Sequence, residues 1–188
     1  SLEFFSDILF DFKIPIKMWN ATVFIYGSSH LCDHRSLAPM IRMEIKNLGN
    51  IKLVFRAQGG KRMDENVVEN FEADAKENRQ AYFIIFLGDN NLRSKDFDRE
   101  KFYKLFERVF EIADEKLHEG RLVVNLMLPN PGNPRYETMA RSIDQGLKDL
   151  SFRFFKVETV NLRFQINLTM GLTPESIVGT DGVHLSLM

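Results

Sequence analysis

The sequence predicts one α/β domain with a parallel sheet of five strands and helices on both of its faces. Five short runs of apolar residues, most without the alternation of a half-exposed strand, are typical of parallel strands buried on both faces. Segments with the period of a helix lie between these runs, so the predicted order of elements is βαβαβαβαβ. The 188 residues suffice for one domain with one hydrophobic core.

The predicted strands are rich in apolar, aromatic and β-branched residues and comprise Thr22–Tyr26, Ile51–Phe55, Ala81–Leu87, Leu122–Leu128 and Phe152–Val157. Apolar residues three and four positions apart predict helices over 102–117 and 136–150. The same spacing predicts a shorter helix that includes Val67–Ala75, and another over Leu37–Ile45 with Ser36 as its N-cap.

Composition and charge exclude several classes of protein. The formal net charge is -1, so the chain as a whole has no field that would gather nucleic acid or an anionic membrane. Its one cysteine, Cys32, can form no intrachain disulfide, and no apolar run approaches the ~20 residues of a membrane-spanning helix.

Residues 1–20 have no clear period, and we expect them to pack as an extension on a domain of residues 21–188. Because they lack the pattern of a signal peptide, an intracellular, cytoplasmic location is expected.

Polar segments follow three of the predicted strands, and one more lies near the end of the sequence. They are Gly27–His30, Gln58–Lys61, Gly88–Asn91 and Gly179–His184. Because ligands of open α/β sheets bind at the carboxyl ends of the strands, these segments predict a shared site at that edge of the sheet.

In this order, the four segments resemble the sequence blocks of the SGNH, or GDSL-type, hydrolases, and the resemblance spans nearly the whole chain. It implies the flavodoxin-like three-layer α/β/α sandwich of that family, with Ser29 as the nucleophile. The last block of the family, Asp-x-x-His, is matched by Asp181 and His184. The resemblance further assigns the oxyanion hole to the backbone N–H groups of Ser29 and Gly60 and to the side-chain amide of Asn90.

These residue types suit ester hydrolysis. A serine hydroxyl is a poor nucleophile at neutral pH until a base takes its proton, and the imidazole of His184 is such a base. Asp181 would fix the tautomer of His184 and stabilise the imidazolium. The expected substrate is therefore a small carboxylic ester, cleaved through an acyl-enzyme on Ser29 without a cofactor.

A catalytically weak or inactive module that binds RNA or a protein partner remains the alternative. Ser28 and Asn91 stand where the family usually has Asp, and both positions usually brace the site through hydrogen bonds. Retroelement-encoded members are known, and the C-terminal domain of insect Oskar is an SGNH-like domain that binds RNA. Arg35, Lys61 and Arg62 are the candidate contacts to an anionic group or to RNA.

No metal site is predicted. His30, Cys32, Asp33 and His34 lie close together, but no second pair of ligands accompanies them, and Cys32 falls off the face that the two histidines would share. A phosphate-binding function is also disfavoured, since no Walker or Gly-x-Gly-x-x-Gly pattern is present. The aromatic residues within 1–20 suit either a cover for a sheet edge or an interface, so the oligomeric state stays open.

Overall fold

The structure is a computed structural model that describes residues 21–29, 50–127, 130 and 133–161. Its strands and helices are β1 (Thr22–Gly27), β2 (Lys52–Ala57), α1 (Glu65–Glu77), β3 (Tyr82–Phe86), α2 (Asp89–Leu92), α3 (Arg99–Lys116), β4 (Leu122–Asn125), α4 (Pro134–Ser151) and β5 (Val157–Val160). All five strands are parallel, in the order β2-β1-β3-β4-β5. This is the flavodoxin-like order, and the predicted fold class is confirmed.

The main core lies between the sheet and the three long helices. Phe24 of β1 and Phe83 of β3 stack with ring centroids 4.9 Å apart and belong to a buried cluster that includes side chains of α1, α3 and α4. Ile25 and Ile84 point to the other face, as the two-residue period of a strand requires, and are buried as well. The helix predicted over Leu37–Ile45 and the extension of residues 1–20 lie outside the described residues.

Side-chain caps begin each of the three long helices. The Oδ1 atom of Asp64 accepts from Val67 N at 2.9 Å, that of Asp98 from Lys101 N at 3.0 Å, and that of Asn133 from Tyr136 N at 3.0 Å. Such caps satisfy N–H groups that have no partner within the helix. The helices at 102–117 and 136–150, and the shorter one around Phe71, are confirmed.

The prediction for the fifth strand is wrong in position. The structure has a turn where an apolar strand over Phe152–Val157 was expected, and the strand begins only at Val157. Asp114 of α3 fixes the turn, because its carboxylate accepts from Phe155 N at 3.2 Å and from Lys156 N at 2.8 Å. Phe152 and Phe155 are 76% and 85% exposed, so their apolar character did not mark a buried strand.

The second strand is less buried than predicted. None of its residues is fully buried, and Lys52 and Arg56 are exposed. The physical reason is its place at the edge of the sheet, where only β1 pairs with it among the described strands. The one-turn helix α2 was not predicted, because it follows the Gly-Asp-Asn-Asn segment and is too short for a period. None of the helices in the described ranges is long and apolar enough to cross a membrane.

Candidate active site

Three of the four predicted segments meet at one edge of the sheet. Gly27, the last residue of β1, is in register with Ala57 of β2 on one side and Phe86 of β3 on the other. Ser29 follows Gly27 by two residues, and helical backbone begins there. The chain leaves β1 towards β2 but leaves β3 towards β4, so a crevice opens between the ends of β1 and β3.

Ser28 and Ser29 differ in exposure at the end of β1. Ser28 is 4% exposed, whereas Ser29 is half-buried. The position of Ser29 between a strand end and a helix start suits a nucleophile whose own N–H faces a developing oxyanion. Asp181 and His184 lie outside the described residues, so the triad stays a prediction. Arg35 also lies outside them.

The segment after β2 forms a tight turn that places Gly60 at the surface. Lys61 N donates to the carbonyl oxygen of Gln58 at 3.0 Å, which closes the turn. Gly60 has a φ of 70°, a conformation that favours glycine, and the residue is exposed. We name residues 58–63 the oxyanion loop, because they include Gly60, which the sequence blocks predict as an oxyanion donor.

Two asparagine side chains after β3 hold the oxyanion loop. Asn90 Nδ2 donates to the carbonyl oxygen of Lys61 at 3.0 Å. Asn91 Oδ1 accepts from Met63 N at 2.8 Å, and Asn91 Nδ2 donates to Met63 O at 2.9 Å. The amide of Asn91 thus pairs with both polar groups of one residue's backbone, an arrangement named here the amide clamp. An ionised carboxylate could accept the first of these bonds but not donate the second, so Asn rather than Asp fits this position.

Gly88 permits the close approach of β3 to the loop after β4. Its φ is 132°, and a Cβ atom there would lie 2.4 Å from Met127 Cε. Asp89 follows as a buried carboxylate that accepts a hydrogen bond from the hydroxyl of Tyr136 on α4. The guanidinium of Arg93 lies 4.9 Å from the centre of the Tyr136 ring. Sequence reasoning missed Tyr136, because its place in an apolar stripe is equally typical of a core residue.

A partly buried ionic network connects β1 and β2 with α1. The carboxylate of Asp74 on α1 accepts from Tyr26 Oη at 2.6 Å and from Arg56 Nε and Nη2, both at 2.9 Å. A signal for this network was present in the sequence, since Asp74 falls on the apolar face of α1 beside Phe71 and Ala75. Its partners are 48 and 18 residues away in sequence, so no local sequence pattern indicates which residues they are.

The network shifts the pKa values of its members. Burial raises the pKa of Asp74, but the hydrogen bonds from Arg56 and Tyr26 and the charge of Arg56 outweigh it, so the pKa lies below its usual value. Burial, together with the hydrogen bond to Asp74, raises the pKa of the Tyr26 hydroxyl far above its ordinary value. The pKa of Arg56 is raised chiefly by its hydrogen bond to Asp74. At neutral pH the network therefore contains an ionised pair and a neutral phenol.

The two described candidate cations for an anionic ligand have acidic neighbours. Lys61 Nζ lies 3.6 Å from a carboxylate oxygen of Asp64, and Arg62 Nη1 lies 3.4 Å from one of Asp96. Such neighbours reduce the local positive potential that would attract a phosphate backbone. Within the described ranges no group of three or more His, Cys, Asp or Glu could hold a metal ion. His30, Cys32, Asp33 and His34 lie outside those ranges.

Comparison with known proteins identifies the fold. No protein-family model matches the sequence, and no curated protein matches it. Among solved structures, a GDSL-like lipase from Bacteroides thetaiotaomicron matches 98% of this chain and 90% of its own, with a TM-score of 0.65 and 14% identity. The chain has the fold of the SGNH hydrolases. This confirms the fold that the four sequence blocks predicted.

Other structures with the SGNH hydrolase fold match to a similar degree. A psychrotrophic esterase from Pseudoalteromonas, with 15% identity and a TM-score of 0.63, matches 89% of this chain and 88% of its own. An acetylxylan esterase from Geobacillus stearothermophilus, studied as a catalytic mutant, has 12% identity and a TM-score of 0.62, over 90% and 89% of the two chains.

Proposed function

We propose that this chain is a serine esterase of the SGNH type, in which Ser29, Asp181 and His184 form the triad. The observation that carries the proposal is the hydrogen bond from Asn90 Nδ2 to Lys61 O. It joins the ends of β2 and β3 one residue from Gly60, so two of the predicted oxyanion donors lie close together. The fold is shared with proteins described as esterases and lipases, which supports the same reaction type.

Each predicted group has a defined role in the reaction. Ser29 Oγ attacks the ester carbonyl carbon while His184 takes its proton, and Asp181 orients the imidazole. The resulting oxyanion receives hydrogen bonds from the N–H groups of Ser29 and Gly60 and from Asn90 Nδ2. Collapse of this intermediate breaks the bond to the alkoxy oxygen, which takes the proton from His184. Water, activated by His184, then releases the acid and restores Ser29.

The side-chain amide of Asn90 can serve both the loop and the oxyanion. Its Nδ2 atom carries two N–H groups, and the bond to Lys61 O uses one of them. The second N–H is the donor proposed for the oxyanion. Loss of one such donor typically lowers the rate on the order of 100- to 1000-fold. Asn90→Ala, which removes this donor and the bond to Lys61 O but leaves Ser29 in place, should lower the rate by a factor of that order.

A fluorophosphonate probe tests the nucleophile directly. We expect the probe to label the wild type and not Ser29→Ala, because the proposed triad activates only that hydroxyl. Ser142→Ala, at an exposed position of α4, serves as the matched control and should be labelled like the wild type. Equal labelling of wild type and Ser29→Ala, or no labelling of either, would contradict the proposal.

The RNA-binding alternative has less support in the described residues. Its candidate contacts Lys61 and Arg62 both lie beside carboxylates, and the net charge of the chain is -1. RNA binding that weakens steeply with salt, and weakens further in a Lys61→Ala, Arg62→Ala double variant, would favour it over the esterase.

A further inference from the structure

A pocket of about 310 Å³ adjoins the oxyanion loop. It lies between the chain that leads into α1 and the chain that joins α2 to α3. The two members of the amide clamp, Met63 and Asn91, both line it. Asn91 directly follows Asn90, and Met63 lies three residues beyond Gly60. The lining of the pocket therefore comes within two residues, along the chain, of both proposed oxyanion donors, Gly60 and Asn90.

The floor of the pocket is apolar and partly aromatic. Met63 and Phe102 are almost fully buried, and Leu105 and Phe97 are half-buried. Phe97 meets Phe102 in a T-shaped contact, with ring centroids 5.5 Å apart and 67° between the planes. A floor of this kind packs against the C–H groups of a ligand.

The rim of the pocket is charged and hydrogen-bonding. Two exposed ion pairs connect its two sides, Glu65 with Lys101 at 2.7 Å and Arg62 with Asp96 at 3.4 Å. The hydroxyl of Ser94 donates to the same Asp96. Exposed ion pairs contribute little to stability, so their members can exchange a partner for a ligand hydroxyl at small cost.

The apolar floor and the charged rim of the pocket together discriminate between classes of ligand. An aliphatic acyl chain would remove water from charged groups without offering them hydrogen bonds, which is unfavourable. An anionic ligand would meet more carboxylates than cations, since Asp64 and Asp98 also line the pocket. A sugar ring has an apolar C–H face for the floor and hydroxyls that both donate and accept for the rim. The volume lies at the lower end of the range for ligand pockets, which suits one ring.

We propose that this pocket binds one sugar ring of the substrate, so that the ester cleaved is an acyl group on a carbohydrate hydroxyl. The catalytic half of this assignment rests on the proposed function, whereas binding of the sugar does not.

Sugar binding is measured on the full chain carrying Ser29→Ala, with methyl glycosides of glucose, galactose and xylose and backbone amide NMR shifts. At least one glycoside should shift the amides of Met63, Ser94 and Phe97, and Phe97→Ala or Asp96→Ala should weaken its binding tenfold or more. The side chain of Asp96 is 80% exposed, so its removal leaves the fold intact. Phe155→Ala, at an exposed aromatic position before the amino end of β5 and outside the pocket lining, should leave the affinity unchanged. Absence of binding by all three glycosides would overturn the assignment.

Turnover of acetylated methyl glycosides and of p-nitrophenyl acetate separates the two proposals. We expect Phe97→Ala and Asp96→Ala to lower the ratio of kcat/KM for the acetylated sugar to kcat/KM for p-nitrophenyl acetate tenfold or more. An unchanged ratio, with hydrolysis still dependent on Ser29, would overturn the sugar assignment and leave the esterase standing. Pocket-specific sugar binding without hydrolysis of either ester would overturn the esterase and retain the sugar site.

Discussion

Beside β3, neutral side chains hold the oxyanion loop, whereas beneath β1 and β2 an ionised pair anchors the strands that lead into the site. Asn90 and Asn91 bind the backbone of the loop through amide hydrogen bonds. Asp74 and Arg56 bind each other as ions, with Tyr26 as a third partner. The side-chain amides of Asn90 and Asn91 do not titrate in the pH range where proteins are stable, but the carboxylate of Asp74 does. The loop geometry should therefore resist changes of pH better than the strands beneath it.

Removal of the Asp74 charge should have the largest effect on stability. In Asp74→Asn the guanidinium of Arg56 loses its counter-ion, and the loss of one partner of a fully buried pair costs about 3–5 kcal/mol. The Arg56 side chain is 49% exposed, so solvent compensates part of this loss and we expect about 2–3 kcal/mol. Urea unfolding measures the change, and Tyr26→Phe, which removes one hydrogen bond, should cost less. Equal stability of wild type and Asp74→Asn would show that the network does not stabilise the fold.

The same variant gives a pH dependence with a definite sign. The pKa of Asp74 is lower in the folded state than in the unfolded chain, where it is about 3.9. Its contribution is therefore complete above that unfolded value and is lost as the pH falls through the folded value. We expect the difference in unfolding free energy between wild type and Asp74→Asn to be constant near neutrality and to shrink below about pH 4. A difference in unfolding free energy that grows as the pH falls would contradict this prediction.

Replacement of the Asn91 amide by a carboxyl group should have the next largest effect on stability. At neutral pH, Asn91→Asp loses the donor to Met63 O and leaves that carbonyl unsatisfied, which costs about 1–3 kcal/mol. A protonated carboxyl can donate and accept, so the neutral form restores both bonds. The introduced group should have a raised pKa in the folded state, and the variant should approach the wild type as the pH falls. Hydrolysis at neutral pH should fall, mainly in kcat, because the oxyanion loop is less well held.

The smallest effect is expected at the exposed pair of Glu65 and Lys101. The hydrogen bond between them lowers the pKa of Glu65 and raises that of Lys101, yet both side chains are more than half exposed to solvent. Lys101→Met should therefore leave the urea midpoint within experimental error, and added salt should not change that result. A clear loss of stability in this variant would show that the rim of the pocket is more rigid than its exposure indicates.

The sequence predicted what depends on local period and on block order. Strands β1 to β4 and the three long helices follow from runs of apolar residues, and Ser29, Gly60 and Asn90 were located by the blocks around them. The position of β5 was not predictable in this way, because Asp114 fixes the preceding turn from 41 residues away. The amide clamp and the Asp74 network likewise depend on pairings across the fold. Asp181 and His184 remain predictions from their block alone.

The order of the strands also bears on how the chain is made. Strand β1 lies between β2 and β3, yet it leaves the ribosome before either of them. Its second neighbour ends at Phe86, about 60 residues later, and synthesis at ~5–20 residues per second takes roughly 3–12 s for that distance. During this time the apolar run Val23–Tyr26 has no completed sheet to join. Nascent chains of this fold should therefore depend most strongly on chaperones before β3 is synthesised. Stalling translation before that point should promote aggregation.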